Sequence, residues 1–140
     1  MLPIQKNSSK KQSMQEKHLF EYAIIRVVPR VEREEFLNVG VIVYCSAQRF
    51  LQTIFRLNEE RMSIFSKQVD IEELEERLTA FRQICAGSKE GGPIGKLPIA
   101  SRFRWLTATR STVVQTSPVH PGLCVDARET LEKLYEQLVE

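Results

Sequence analysis

The feature that most constrains this chain is a pair of stretches, "HLFEYAIIRVVP" and "NVGVIVYC", that are apolar on both faces if extended. They are rich in Ile, Val, Tyr and Phe, which fit a pleated surface, and Pro29 stops the first. A strand apolar on both sides needs cover on both, so the two are expected at the centre of a sheet. The charged connector "RVEREEFL" separates them. A third stretch, "RFLQTIFRL", is separated from Ser46 by two residues and alternates more cleanly. Leu51, Thr53, Phe55 and Leu57 point one way and Gln52 and Arg56 the other, which predicts one wet face. Three strands in sequence with short connections read as a β-meander. At the start of the second strand, Asn38 tolerates a turn conformation and Gly40 permits a bulge or a close approach.

Helical material follows from Asn58, "NEERMSIFS". The clearest helix is "VDIEELEERLTAFRQIC". Asp70 can cap its free amides, Glu73 can reach back, and Val69 with Leu74 can form a hydrophobic staple. Leu74, Leu78, Phe81 and Cys85 then make one apolar stripe, with Glu75, Glu76, Arg77 and Arg82 outside. The terminal helix repeats the device, with Asp126 as cap, Glu129 three residues on, and Leu131, Leu134 and Leu138 as the stripe. Between these helices, the glycine- and proline-rich segment from Ala86 to Pro98 reads as a long loop. "IASRFRWL" reads as a short helix, "STVVQTS" as a fourth strand ended by Pro118, and "PVHPG" as a turn. The fold class is therefore α+β: a small, mainly antiparallel sheet, a three-strand meander plus a later strand, covered by two or three helices.

At 140 residues and 42% apolar content, the chain suits one α+β domain over 18–140 preceded by a solvated tail over 1–17. The longest apolar run, "VGVIVYC", is too short to span a bilayer. The N-terminus has lysines but no apolar h-region, so the expected compartment is the cytoplasm, with no membrane association. Cys45, Cys85 and Cys124 are odd in number, widely spaced and set among apolar neighbours, as packed reduced thiols would be. Two histidines and three separated cysteines match no metal-ligand spacing, so no metal and no cofactor are expected. The loop "EGGPIGKLP" fails the phosphate-loop pattern: Glu90 stands where glycine is required, and Leu97 replaces the magnesium-holding Ser or Thr.

Two longer patterns are specific. "YAIIRVVPRVEREEFLNVGVIVY" joins a Tyr-x-x-x-Arg strand and a proline to Glu-Phe-x-Asn-Val-Gly-Val, and "WLTATRSTVVQTSPVHPGL" precedes a Leu-rich terminal helix. In both, the chain resembles the bacterial family known as domain of unknown function 3037, over roughly Phe20 to Val139. The resemblance brings no activity, cofactor or catalytic residue. It does imply a possible protein partner, since such proteins are often encoded beside one of the HipA-like kinase fold. One departure is Thr109, where the family often has proline before Arg110.

Charge is unevenly distributed along the chain. Residues 91–125 carry four bases and no acid, whereas residues 126–140 carry two bases and five acids. The acid-free segment holds Arg102, Arg104, Arg110 and His120 as donors, Ser111, Thr112 and Thr116 as hydroxyls, and Trp105 as a stacking face. Guanidinium forks beside hydroxyls suit a phosphate or carboxylate, and a nucleotide or single-stranded nucleic acid would add stacking on Trp105 and Phe103. The competing structural reading has Trp105 and Phe103 in the core and the arginines on the surface or paired with Glu34, Glu35 or the terminal acids. Arg26, alone in an apolar strand, has to be paired or to lie at a face edge. Glu35 or Glu21 is its expected partner, and the functional alternative puts it with Arg56 and Arg110 around an anion.

The expectation is an accessory or binding module without catalysis of its own. Its candidate anion site comprises Arg26, Arg56, Arg102, Arg104, Arg110, Ser111 and His120, with Trp105 stacking. Two alternatives stand beside it. One is an interaction subunit for a HipA-like kinase-fold neighbour, docking through the glycine loop and terminal helix. The other is a hydrolase or transferase on a phosphorylated substrate, with His120 as acid/base. Nothing in the sequence sets an oligomeric state.

Overall fold

The computed structural model describes residues 16–29, 35–65, 69–110 and 112–139. All but the last two positions of the expected tail lie outside the described residues. In chain order the elements are β1 (His18–Val27), β2 (Leu37–Cys45), β3 (Phe50–Phe55), α1 (Glu59–Phe65) and α2 (Ile71–Ala86). A 3-10 turn (Lys89–Gly91) and the short α3 (Gly92–Gly95) lead to α4 (Ile99–Leu106), β4 (Val114–Thr116), β5 (His120–Cys124) and α5 (Ala127–Leu138). The sheet is antiparallel in the order β3-β2-β1, with β4 and β5 sharing the far side of β1. β1 and β2 are thus central, as their two apolar faces require.

Each face of the sheet has its own core. Ala23, Ile25, Val27, Ile42, Tyr44 and Leu51 meet Leu74, Leu78 and Phe81 of α2, and Phe103 and Leu106 of α4. On the reverse, Phe20, Val41, Val43, Cys45 and Cys124 meet Ala127, Leu131 and Tyr135 of α5. Fully burying each large apolar side chain stabilises by roughly 1.5–3 kcal/mol. The meander, the helix at Glu59, the α2 stripe and the short helix at Ile99 all form where the residue pattern places them. Gly40 does both things open to it. The β1–β2 register shifts there, leaving Val39 as the extra residue of a bulge. A Cβ on Gly40 would also sit 2.6 Å from the Ile54 carbonyl oxygen, so β3 can lie this close only over glycine.

Four expectations are corrected. The Gln52 side of β3 is wet only in part: Gln52 and Arg56 are exposed, Gln52 accepting a hydrogen bond from Arg128 of α5, whereas Phe50 and Ile54 pack under that helix. "PVHPG" is not simply a turn, because His120 to Cys124 pair with β1 as β5. Proline is tolerated in this strand because it lies at the sheet edge. The glycine-rich segment is not an open loop, since it winds into the 3-10 turn and α3, with Gly95 buried. Asp70 does cap α2 through the amides of Glu72 and Glu73, but Glu73 does not reach back; its carboxylate binds Arg77 one turn on.

Ser117 joins β4 to β5. Its amide donates to the Ile24 carbonyl at 2.8 Å, and its hydroxyl accepts from the Ile24 amide at 2.9 Å. The hydroxyl stands in for the backbone carbonyl that the interrupted strand does not present. Ser117 is the one buried polar residue among those described.

Candidate functional site

The acid-free segment folds into α4, β4 and β5, and its donors separate. Arg102 turns back onto α2. Its Nη1 donates to the carbonyls of Ile84 and Cys85 at 3.0 and 2.8 Å, and its Nε to that of Leu97. The Ile84 and Cys85 carbonyls lie in the last turn of α2, the former also accepting from the Gly87 amide, and a cation is favoured at such a helix C-terminus. Gly87 makes room for it. The residue is left-handed, with φ 68°, and a Cβ would come within 2.9 Å of Arg102 Nη1. Arg104 is opposed after all, forming a two-pronged pair with the Glu21 carboxylate at 2.9 and 2.7 Å. That bond pushes the Arg104 pKa up. Arg110 closes α4, donating to the carbonyls of Trp105 and Leu106 while its guanidinium lies 4.2 Å from the Trp105 ring. Burial pushes its pKa down.

The remaining candidates are placed elsewhere. Arg26 has no carboxylate partner among the described residues; Glu21 is taken by Arg104, and Arg26 stacks instead over Phe36 at 4.1 Å. Its Nε is buried without a hydrogen bond. Arg56 lies just past β3, and β2 separates it from β1, so Arg26 and Arg56 are not on adjacent strands. His120 is exposed on β5, its ring 5.3 Å from that of Tyr22. Ser111 lies outside the described residues. Trp105 is 41% exposed whereas Phe103 is fully buried, so only Phe103 follows the structural reading. Trp105, Arg110 and Thr112 do share a hollow of about 270 Å³, completed by Arg77. Arg77 is already bridged to Glu73.

A larger hollow, of about 460 Å³, opens between β3, α2 and α4. Arg49, Arg82 and Arg102 line it together with Gln52, Thr53 and Cys85, and no carboxylate is among its lining residues. Each arginine comes from a different element. Arg49 ends the β2–β3 turn in a left-handed conformation, φ 51°. Arg82 projects from α2 over the Phe55 ring at 4.4 Å. Arg102 is held by its three carbonyls. Among the described residues the guanidiniums of Arg49 and Arg82 have no ion pair or hydrogen bond. Sequence reasoning found Arg102 and missed the other two. Arg82 reads as part of the solvated face of its helix, and no local signal marks a helix surface residue as facing the distant turn that carries Arg49. Cys85, at the floor, is pushed up to about 12, chiefly by burial, so it is a protonated thiol and not a nucleophile at neutral pH.

A family model described as protein of unknown function (DUF3037) matches residues 22–139. The chain belongs to this family. The match takes in both resemblance patterns, both hollows and every described candidate residue from Arg26 to His120. No curated protein and no solved structure matches the chain. Within the DUF3037 chain, no helix among the described residues is long and apolar enough to cross a membrane.

Proposed function

We propose that this DUF3037 protein is a binding module for a small phosphate-bearing or similarly anionic ligand, received in the hollow between β3, α2 and α4. One observation carries the reading: three guanidiniums from three elements line one cavity that no carboxylate enters. Guanidinium forks match the paired oxygens of phosphate and carboxylate, and a pinned fork loses less freedom on binding. The volume lies within the range of roughly 300–1,000 Å³ common for small-molecule sites. Binding is favoured over catalysis because the proposed acid/base, His120, lies on an exposed strand against Tyr22. Asp126, the nearest carboxylate to it along the chain, is engaged as the α5 cap.

Calorimetric titration with pyrophosphate and with a nucleoside monophosphate, at low and high salt, tests this. The expected result is binding that weakens with salt, and that weakens at least tenfold in Arg49→Ala and Arg82→Ala but not in Arg110→Ala. Absence of binding, or equal affinity in all variants, refutes the site. A short single-stranded oligonucleotide serves as the further comparison, and preference for it with a steep salt slope would move the ligand class to nucleic acid.

A second reading, the interaction subunit for a HipA-like kinase-fold neighbour, has one observation in its favour. Leu19 and Leu123 are cross-strand neighbours on the β5 edge and are 60% and 66% exposed. Co-purification that survives Arg82→Ala but is lost in a Leu19→Ser, Leu123→Ser double variant would favour it.

A further inference from the structure

The arginine-lined hollow opens along the edge of a strand. Phe50, Leu51, Gln52 and Thr53 line it in succession, although their side chains alternate between the two faces of the sheet. β3 is the last strand in the order β3-β2-β1, so one of its edges has no neighbouring strand. The pairing fixes which backbone groups face that edge. The Arg56 amide donates to the Val39 carbonyl at 2.8 Å, and the same register sets Ile54 opposite Val41 and Gln52 opposite Val43. Bonded and non-bonded pairs alternate in an antiparallel ladder. Ile54 and Gln52 therefore turn their backbone groups toward β2, and Thr53 turns its N–H and C=O outward. Among the described residues neither Thr53 group has a hydrogen-bond partner.

The two edges of the sheet are guarded differently. On the far side of β1 the edge is broken between β4 and β5 and carries Pro121, features that keep further strands from adding. β3, "FLQTIF", has no proline, glycine or charged residue. Guanidiniums stand at its two ends instead: Arg49 directly precedes Phe50, and Arg82 lies over the Phe55 ring at 4.4 Å. Phe50 to Phe55 spans roughly 17 Å of extended chain, longer than a phosphate can bridge. An extended acidic peptide supplies both needs, backbone donors and acceptors along the edge and anions at its ends. We infer that the hollow takes an acidic segment of a partner protein as an added strand on β3, its main chain paired with Thr53 and its carboxylates on Arg49 and Arg82. This rests on the anion reading of the same hollow and names its ligand. A second copy of this chain suits the edge less, because antiparallel β3–β3 pairing would bring Arg49 of each copy to the Arg82 end of the other, like charge against like.

The experiment titrates the full chain, by calorimetry and amide NMR, with acetyl-Glu-Val-Thr-Val-Glu-amide, with the same peptide carrying Lys for Glu, and with pyrophosphate. The acidic peptide is expected to bind and the lysine peptide not to. A strand pairs along one edge only, so N-methylating the peptide at its valines and N-methylating it at its threonine should act unequally. One should weaken binding at least tenfold and the other should leave it nearly unchanged. The Thr53 amide should gain protection from hydrogen exchange with the peptide but not with pyrophosphate, beyond any change at Ile54. Arg82→Ala should weaken both ligands. Pyrophosphate binding that depends on Arg82, without binding of the acidic peptide, would overturn this inference and leave the anion reading standing; failure of both ligands would overturn both. Equal effects of the two methylations, or a dimer whose Thr53 amide is protected before peptide is added, would also overturn it.

Discussion

Replacing Ser117 by alanine tests the account of the broken edge strand. The hydroxyl is 2% exposed and is the acceptor, at 2.9 Å, for the Ile24 amide in the central strand β1. It also donates to the Pro118 carbonyl at 2.9 Å. Alanine leaves that amide without a partner where neither β4 nor β5 supplies a carbonyl. An orphaned buried donor costs about 1–3 kcal/mol. At about 4 °C per kcal/mol for a domain of this size, the melting temperature should fall by on the order of 4–12 °C. Thermal unfolding followed by circular dichroism gives the size of the loss, and amide hydrogen exchange locates it. Ile24 should lose protection beyond the global change, while Ile42, paired on the far side of β2, should not. Thr116→Ala is the control, because its hydroxyl reaches the Thr107 carbonyl at only 3.5 Å, too long to matter much. A Ser117→Ala loss below about 0.5 kcal/mol, with Ile24 still protected, would refute the idea that this hydroxyl completes the sheet.

The arginines of α4 should differ in kind. Arg102→Ala removes the guanidinium from three carbonyls, of which that of Ile84 keeps the Gly87 amide as a donor, and should lower stability by about 1–3 kcal/mol in urea unfolding. Arg104→Ala breaks only a solvent-accessible pair, whose side chains are 57% and 22% exposed, and should cost under about 1 kcal/mol. Cys85 should resist iodoacetamide at neutral pH in the folded protein and react once the chain is unfolded in urea. Its raised folded value, against an ordinary thiol value of 9.0, also has a consequence for pH. Above pH 9 the unfolded chain gives up the proton first, so stability present below pH 9 is lost between pH 9 and about pH 12. Urea midpoints of Cys85→Ala and the parent should therefore converge across that window, and a parallel course would refute the burial argument.

How much was legible in the sequence varies by residue. The doubly apolar β1 and β2 announced a central pair, because cover on both faces is a property of each strand's own composition. The Asp70 and Asp126 caps, the α2 stripe and the close approach at Gly40 were readable for the same reason. β5 was not, because its prolines and glycine spell a turn locally and only pairing with His18 to Tyr22 makes it a strand. The wet face expected of β3 held only for Gln52 and Arg56, since α5, more than 70 residues later in the chain, packs over Phe50 and Ile54.

Of the candidate site, the sequence could show that the segment from Gly91 to Val125 carries bases without acids, and it did. It could not show whether those bases are unopposed in space. Arg104 meets a carboxylate 83 residues earlier, and Arg102 meets carbonyls 17 and 18 residues earlier. Periodicity, caps and turn chemistry act within a few residues and are written along the chain. Where a guanidinium ends up depends on which distant backbone or acid the packed layers bring beside it, and that was decided only when the two faces of the sheet were covered.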